Sequence, residues 1–222
     1  MTEPFNVLMV GVGGQGVVLA SNILSEAAMR AGLDVKKSEI HGMSQRGGPV
    51  FSHVRFGERV HSPVIPKGEA DVIYSLERME LLRWATWARP GAVACYLAQN
   101  TLPFGVKAYP EGLDEEIARL FGTVIRVDPR ALRDRISPKV KNTVLLGAVS
   151  VFAALPPECY HEVIPGLCPD GTAEVNWQGF EIGREVAAEQ LRAAGQPRAA
   201  SQARAANQAR AAGELQEPAH VE

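Results

Sequence analysis

Cysteine is scarce in this 222-residue chain, with Cys95, Cys159 and Cys168 making up the whole set. None lies in a Cys-x-x-Cys pair, and an iron–sulfur cluster normally takes four thiolates. Such an odd, sparse set argues against a disulfide framework and fits a reducing compartment. The three thiols are expected to be buried or inert small hydrophobes. Long apolar runs are missing too. No stretch approaches the ~20 apolar residues of a membrane span, and the richest, Val144 to Leu155, reads as a core helix. Charge of one sign is also lacking. Lys and Arg number 23 against 25 Asp and Glu, a net charge of −2, which gives no bulk attraction to nucleic acid or anionic lipid. The Met-Thr-Glu-Pro start is acidic, and the apolar run behind it is short and ends in glycines. It fails as a signal peptide, so a cytoplasmic location is expected.

The apolar fraction, 46%, is ordinary for a globular protein,. Phe5–Val10 reads as a buried strand, Gly16–Ala31 as a helix closed by Gly32, and Leu33–Ile40 as a second strand. That succession predicts an α/β fold: a Rossmann-like, doubly wound, mostly parallel sheet in three layers with a right-handed first crossover. Val50–Phe56 alternates, with Val50, Ser52, Val54 and Phe56 on one face and Phe51, His53 and Arg55 on the other. With Gly57-Glu58 and Arg59–Ser62 it predicts a β-hairpin insertion or edge. Strands are expected at 70–75, 92–97 and 123–127. Helices are expected at 76–88, ended by Pro90-Gly91, and at 113–121, 142–155 and 174–194. Residues 1–194 form the expected domain. Residues 195–222, with the repeat Gln-Ala-Arg-Ala-Ala, read as a mobile or solvent-exposed tail.

Two glycine-bearing loops carry the chemistry. Gly11-Val-Gly13-Gly14-Gln15-Gly16 follows the first strand and opens the first helix. Glycines there bring backbone N–H groups and a helix N-terminus up to a phosphate, or simply make a tight turn. An NAD site would also need an acid ending the second strand, and Glu39 is nearly in place. The polar loop that follows would crowd an adenosine. That loop, His41-Gly-Met-Ser44-Gln45-Arg46-Gly47-Gly48, sits outside the carboxyl end of a strand. Arg46 there suits a bidentate anion contact or an interface. His41 is a weak candidate for a base, since no nucleophile or paired carboxylate stands beside it beyond Glu39. His53 and His61 lack a third partner for a metal. Trp84 and Trp87 are expected to pack, and Asn142-Thr143 to cap a helix.

These loops together with Val54-Arg-Phe-Gly57, Gly68-Glu-Ala-Asp71, Asn142-Thr-Val-Leu-Leu-Gly147 and Asn176-x-x-x-Phe180-x-x-Gly183 resemble the gamma-type small subunit of the 2-oxoacid:ferredoxin oxidoreductases. The resemblance spans about residues 5–192. The wording of the second loop is more similar to the indolepyruvate branch than to the Tyr-Gly-x-Glu-x-Arg-Gly-Gly loop of pyruvate enzymes. It implies oxidative decarboxylation of aryl pyruvates to aryl-acetyl-CoA with electrons passed to ferredoxin. Thiamine diphosphate, Mg2+ and [4Fe-4S] clusters would sit on a larger alpha subunit, and coenzyme A would be the co-substrate. On that implication Gly13, Gly14, Gln15 and Gly16 meet coenzyme A phosphates, and Ser44–Gly48 closes the interface near the thiamine site. A free-standing NAD(P) oxidoreductase and a non-catalytic assembly subunit are the alternatives.

Overall fold

The structure, a computed structural model, describes residues 3–41 (His41 by its backbone alone), 48–101 and 108–195. Four strands are mutually parallel: β1 (Phe5–Val12), β4 (Ala70–Ser75), β5 (Ala88–Leu97) and β6 (Thr123–Val127). Two more, β2 (Asp34–His41) and β3 (Pro49–Gly57), complete a six-stranded sheet in the order β2-β3-β1-β4-β5-β6. Along each strand the side chains alternate between two cores. Val7, Met9, Val72, Tyr74 and Cys95 face one way. They meet α1 (Val17–Arg30), α4 (Lys141–Ser150), α5 (Pro157–Leu167) and α6 (Ala173–Ala193). Leu8, Val10, Ile73, Ala94 and Tyr96 face the other way, onto α2 (Arg78–Trp84) and α3 (Leu113–Leu120). The expected three layers are present.

The strand order departs from expectation in one place. The first two strands were expected side by side, but β3 lies between them, antiparallel to both. Its two-sided apolar pattern suits a central position: Val54 and Phe56 enter one core while Phe51 packs against the other. The antiparallel hairpin is therefore β2–β3. Arg59–Ser62 forms no strand, because side chains claim that stretch. Arg55 Nη1 donates to the carbonyls of Ser62 and Val64, each at 3.0 Å, and Val60 N–H donates to Asp34 Oδ2 at 2.8 Å.

Other boundaries shift for local reasons. Pro90-Gly91 does not end a helix but lies inside β5, where the ladder to β4 skips from Ala70 to Val72. A proline's missing N–H is harmless in such a bulge. The 76–88 helix is α2 followed by a 3-10 turn over Ala85–Trp87. The helix expected to reach Leu155 stops at Ser150, and Pro156-Pro157 starts the unforeseen α5,. Residues 196–222 of the expected tail lie outside the described residues.

Candidate functional site

The chain leaves β1 toward β2 and β3 on one side and returns to build β4, β5 and β6 on the other. The carboxyl ends of β1 and β4 therefore form a switch point, the place where open α/β sheets receive ligands. A cleft of about 360 Å³ opens there. Gly14 and Gln15 form one wall, Gln99 another, and Lys139, Lys141 and Asn142 a third, with Leu76 and Leu97 as apolar lining.

The glycine turn is built as its spacing suggests. Gly14 and Gly16 hold φ of 92° and 88°, the left-handed region that side chains resist,. A Cβ on Gly16 would also lie 2.6 Å from Asn142 Nδ2. Several amides of the turn are already engaged. Val12 N–H donates to Gln15 Oε1 (2.8 Å), Gln15 N–H to Val12 O (3.1 Å) and Gly13 N–H to Gly48 O (2.9 Å). A bound phosphate would thus meet Gly14, Gly16 and the first turn of α1 rather than the full loop. No side chain caps that helix start, so its partial positive charge is left unanswered by the helix's own residues, directly behind the Gly14 and Gln15 wall,. Gln15 Nε2 crosses to Thr101 Oγ1 at 3.2 Å and ties the turn to the segment leaving β5.

The second loop touches the first through Gly48 O. Ser44, Gln45, Arg46 and Gly47, and the side chain of His41, lie outside the described residues. The His41 backbone ends β2 opposite Val50. Glu39 does not stand beside the glycine turn, since β3 separates β2 from β1. Its carboxylate pairs with Lys37 and accepts from Ser21 Oγ. This is not the geometry of a ribose-binding acid, which needs adjacent parallel strands.

Lys139 and Lys141 were missed in the sequence, although a signal existed. Cations at a helix start oppose the macrodipole, which favours acids there. Here Lys139 stands in the 3-10 turn Pro138–Val140 and Lys141 opens α4, against that preference. Lys141 Nζ donates to Gln99 Oε1 at 2.9 Å. Asn142 and Thr143 are not caps. Asn142 Nδ2 donates to Gly16 O at 3.3 Å and Thr143 Oγ1 to Asn176 Oδ1 at 2.6 Å. Tyr74, fully buried, donates its hydroxyl to Asn142 O at 2.9 Å, and burial pushes its phenol well above the ordinary value, so the proton stays. Behind Leu76 the Glu77 carboxyl is 2% exposed and raised by burial. It caps α2 through Glu80 N–H at 2.9 Å.

The remaining residues singled out in the sequence are structural. His53 is buried and accepts from Ile65 N–H, while His61 is exposed in the loop after β3. Trp84 and Trp87 pack together with ring centroids 4.8 Å apart. Cys95 and Cys168 are buried, and burial raises all three cysteine thiols, which keeps them protonated.

Comparison with known proteins bears on this site. The family described as pyruvate ferredoxin/flavodoxin oxidoreductase matches residues 6–186. Indolepyruvate oxidoreductase subunit IorB of Thermococcus kodakarensis is 39% identical over 200 residues, covering 85% of this chain and 98% of that protein. IorB of Pyrococcus horikoshii is 36% identical over 201 residues, with the same shares covered. Among solved structures, the keto/oxoacid ferredoxin oxidoreductase gamma subunit of Geobacter sulfurreducens superposes with a TM-score of 0.63 at 22% identity, covering 83% of this chain and 99% of that one. The 2-oxoglutarate:ferredoxin oxidoreductase of Magnetococcus marinus, solved with 2-oxoglutarate, coenzyme A and succinyl-CoA bound, gives a TM-score of 0.67 at 19% identity, covering 85% of this chain and 32% of that one. At such identities these two structures speak for the fold alone. The match over most of the chain and the near full-length relatives place it among the small subunits of 2-oxoacid:ferredoxin oxidoreductases, and the chain belongs to the pyruvate ferredoxin/flavodoxin oxidoreductase family.

Proposed function

We propose that this chain is the small subunit of an indolepyruvate:ferredoxin oxidoreductase and that its cleft receives the phosphates of coenzyme A. The reaction joins the aryl pyruvate to the coenzyme A thiol, releases CO2 and a proton, and passes two electrons to ferredoxin. Thiamine diphosphate, Mg2+ and [4Fe-4S] clusters do not fit the residues present here. The sequence has no Gly-Asp-Gly followed by Asn-Asn for a diphosphate–magnesium site. The cysteines stand apart on β5, on α5 and beyond α5, and among the described residues no three His, Cys, Asp or Glu gather to hold a metal. Those groups belong on a larger partner subunit, with Ser44–Gly48 at the junction.

The observation that carries the reading is the pair of lysines facing the left-handed glycine turn across one cleft. Positive charge from Lys139, Lys141 and the start of α1 converges there. The Magnetococcus marinus enzyme, in which this fold is one part, was solved with coenzyme A bound. The IorB relatives supply the oxoacid class.

The test uses the complex purified anaerobically through a tag on this chain. A larger subunit with iron–sulfur absorbance should accompany it. Methyl viologen reduction should require both indolepyruvate and coenzyme A. Lys139→Glu should raise the KM for coenzyme A about tenfold or more, the effect of one charged hydrogen-bond partner, and leave that for indolepyruvate in place. A bulky residue at Gly14 should act the same way. An unchanged coenzyme A requirement in both variants moves the binding site off this cleft.

A further inference from the structure

The two faces of the β2–β3 hairpin are covered unequally. On one, Val35, Val54 and Phe56 turn to the core beneath α1. On the other side of the sheet, α2 and α3 lie over β1, β4, β5 and β6. Among the described residues, none of β2 enters the core that they cover. Ile40 stands opposite Phe51 in the ladder, and opposed residues share a face,. The half-buried Phe51 ring packs 4.2 Å from Trp84, which lies 4.8 Å from Trp87, centroid to centroid. Arg55 and His53, on the same face of β3, hold the following loop there through Val64 O at 3.0 Å and Ile65 N–H at 3.2 Å. Ile65 is buried, but Val64 stays 52% exposed and Ile40 49%. This side of the hairpin thus carries two open aliphatic side chains and three half-buried aromatic rings. The other large exposed apolar residues, Met29, Leu120 and Val175, belong to α1, α3 and α6.

We propose that this face, formed by Ile40, Phe51, Val64, Trp84 and Trp87, is the surface on which the larger, cofactor-bearing subunit docks. The inference rests on the reading that such a subunit accompanies this chain. The match to the Magnetococcus marinus enzyme takes up 32% of that chain, and the match to ketoisovalerate oxidoreductase subunit VorA of Methanothermobacter thermautotrophicus 37% of that protein. In both, this fold is joined covalently to further sequence. A separate small subunit replaces that link by a lasting contact, and lasting contacts are the more apolar ones. The make-up of the face agrees, with rings and aliphatic side chains together and cations beside them. Lys67 Nζ lies 5.5 Å from the centre of the Trp87 ring, and Lys36 shares the face with Ile40,. Ile40 also stands at the end of β2, where the chain enters the loop assigned to the subunit junction. Docking on the face leaves the charged β2 edge out of strand pairing.

The test uses the complex purified anaerobically through a tag on this chain. Ile40→Glu and Val64→Glu put a charge on the face at positions open to solvent. Each should weaken retention of the larger subunit about thirtyfold or more, read from the dilution at which it dissociates. Leu120→Glu and Val175→Glu, at the exposed apolar positions of α3 and α6, should leave retention as in the wild type. Unchanged retention in both face variants, or equal loss in all four, overturns the assignment. Hydroxyl-radical footprinting of the wild-type complex needs no variant to fold. Ile40 should be oxidised several-fold less than Leu120, and Val64 less than Val175, although the chain by itself exposes each pair to a similar degree. Equal oxidation within the pairs overturns the assignment. Protection that vanishes when residues 196–222 are deleted means that this chain's own end covers the face, and overturns it as well. If no larger subunit with iron–sulfur absorbance accompanies the wild-type chain, the reading falls and the docking surface with it. If one does accompany it while the face is oxidised freely, only the docking surface falls.

Discussion

Single residues set the pH behaviour of the fold. His53 is 4% exposed and uses Nδ1 to accept from Ile65 N–H at 3.2 Å, so its neutral form is built in. Burial first, then the nearby Arg55 charge, holds its pKa below the ordinary 6.5. The unfolded chain therefore takes up the proton first as pH falls. The stability tied to neutral His53 is whole above 6.5 and is lost progressively below it,. Glu77 has the opposite sign. Its raised carboxyl contributes fully below the ordinary 4.5 and loses that contribution as pH rises through its lifted value,. His53→Gln should flatten the fall in urea midpoint between about pH 7.5 and about pH 5.5, leaving the carboxyl contributions in place. An undiminished fall would mean that another group carries the acid sensitivity. In the sequence, His53 was legible as a strand-face residue but not as a buried acceptor. Its partner, Ile65, lies on a loop whose path depends on Arg55, and no local pattern predicts that.

At the scale of elements, α4 and α6 come together without a side-chain layer between them. A Cβ on Gly147 would lie 1.9 Å from Phe180 O, and one on Gly183 would lie 1.8 Å from Val144 O. Gly147→Ala should therefore cost about 3 kcal/mol or more in denaturant unfolding, at the upper end for overpacked cores. Gly166→Ala on α5, whose Cβ would meet nothing within 4 Å, is the control. It should be neutral or gain up to about 1 kcal/mol from helix propensity. Equal effects would mean that the close approach is not limiting. The helices expected at 113–121 and 174–194 fell within a residue or so of their observed bounds. Strand order was not legible. Periodicity says that 50–56 has two apolar-capable faces, but not that it enters the sheet between β1 and β2. The glycine turn could be read because positive φ leaves its mark in residue choice. The facing lysines come from more than a hundred residues away and leave no mark on that turn.

The whole molecule treats the two edges of its sheet differently. At β6 the side chain of Gln190 acts as a short strand: its Oε1 accepts from Arg126 N–H at 3.0 Å and its Nε2 donates to Arg126 O at 2.8 Å. At the β2 edge, Lys36 and Lys37 supply the charge that discourages strand addition,. Gln190→Ala should lower stability by about 1–2 kcal/mol, since two backbone groups lose their partners. It should also raise light scattering at high protein concentration. An unchanged stability with no self-association would mean that water replaces the amide fully. The same asymmetry extends to the cleft, where one wall is α4, locked to α6 backbone against backbone. The opposite wall, Ala98 to Thr101, is tied across the cleft by two side chains, Gln15 and Lys141. In mechanical language the cleft is a vice with one jaw set by backbone packing and one braced by side chains. Lys141 spends one of its three N–H donors on Gln99,, so the same ammonium braces that jaw and keeps charge in reserve, a clamp screw that stays tight while it presents its head.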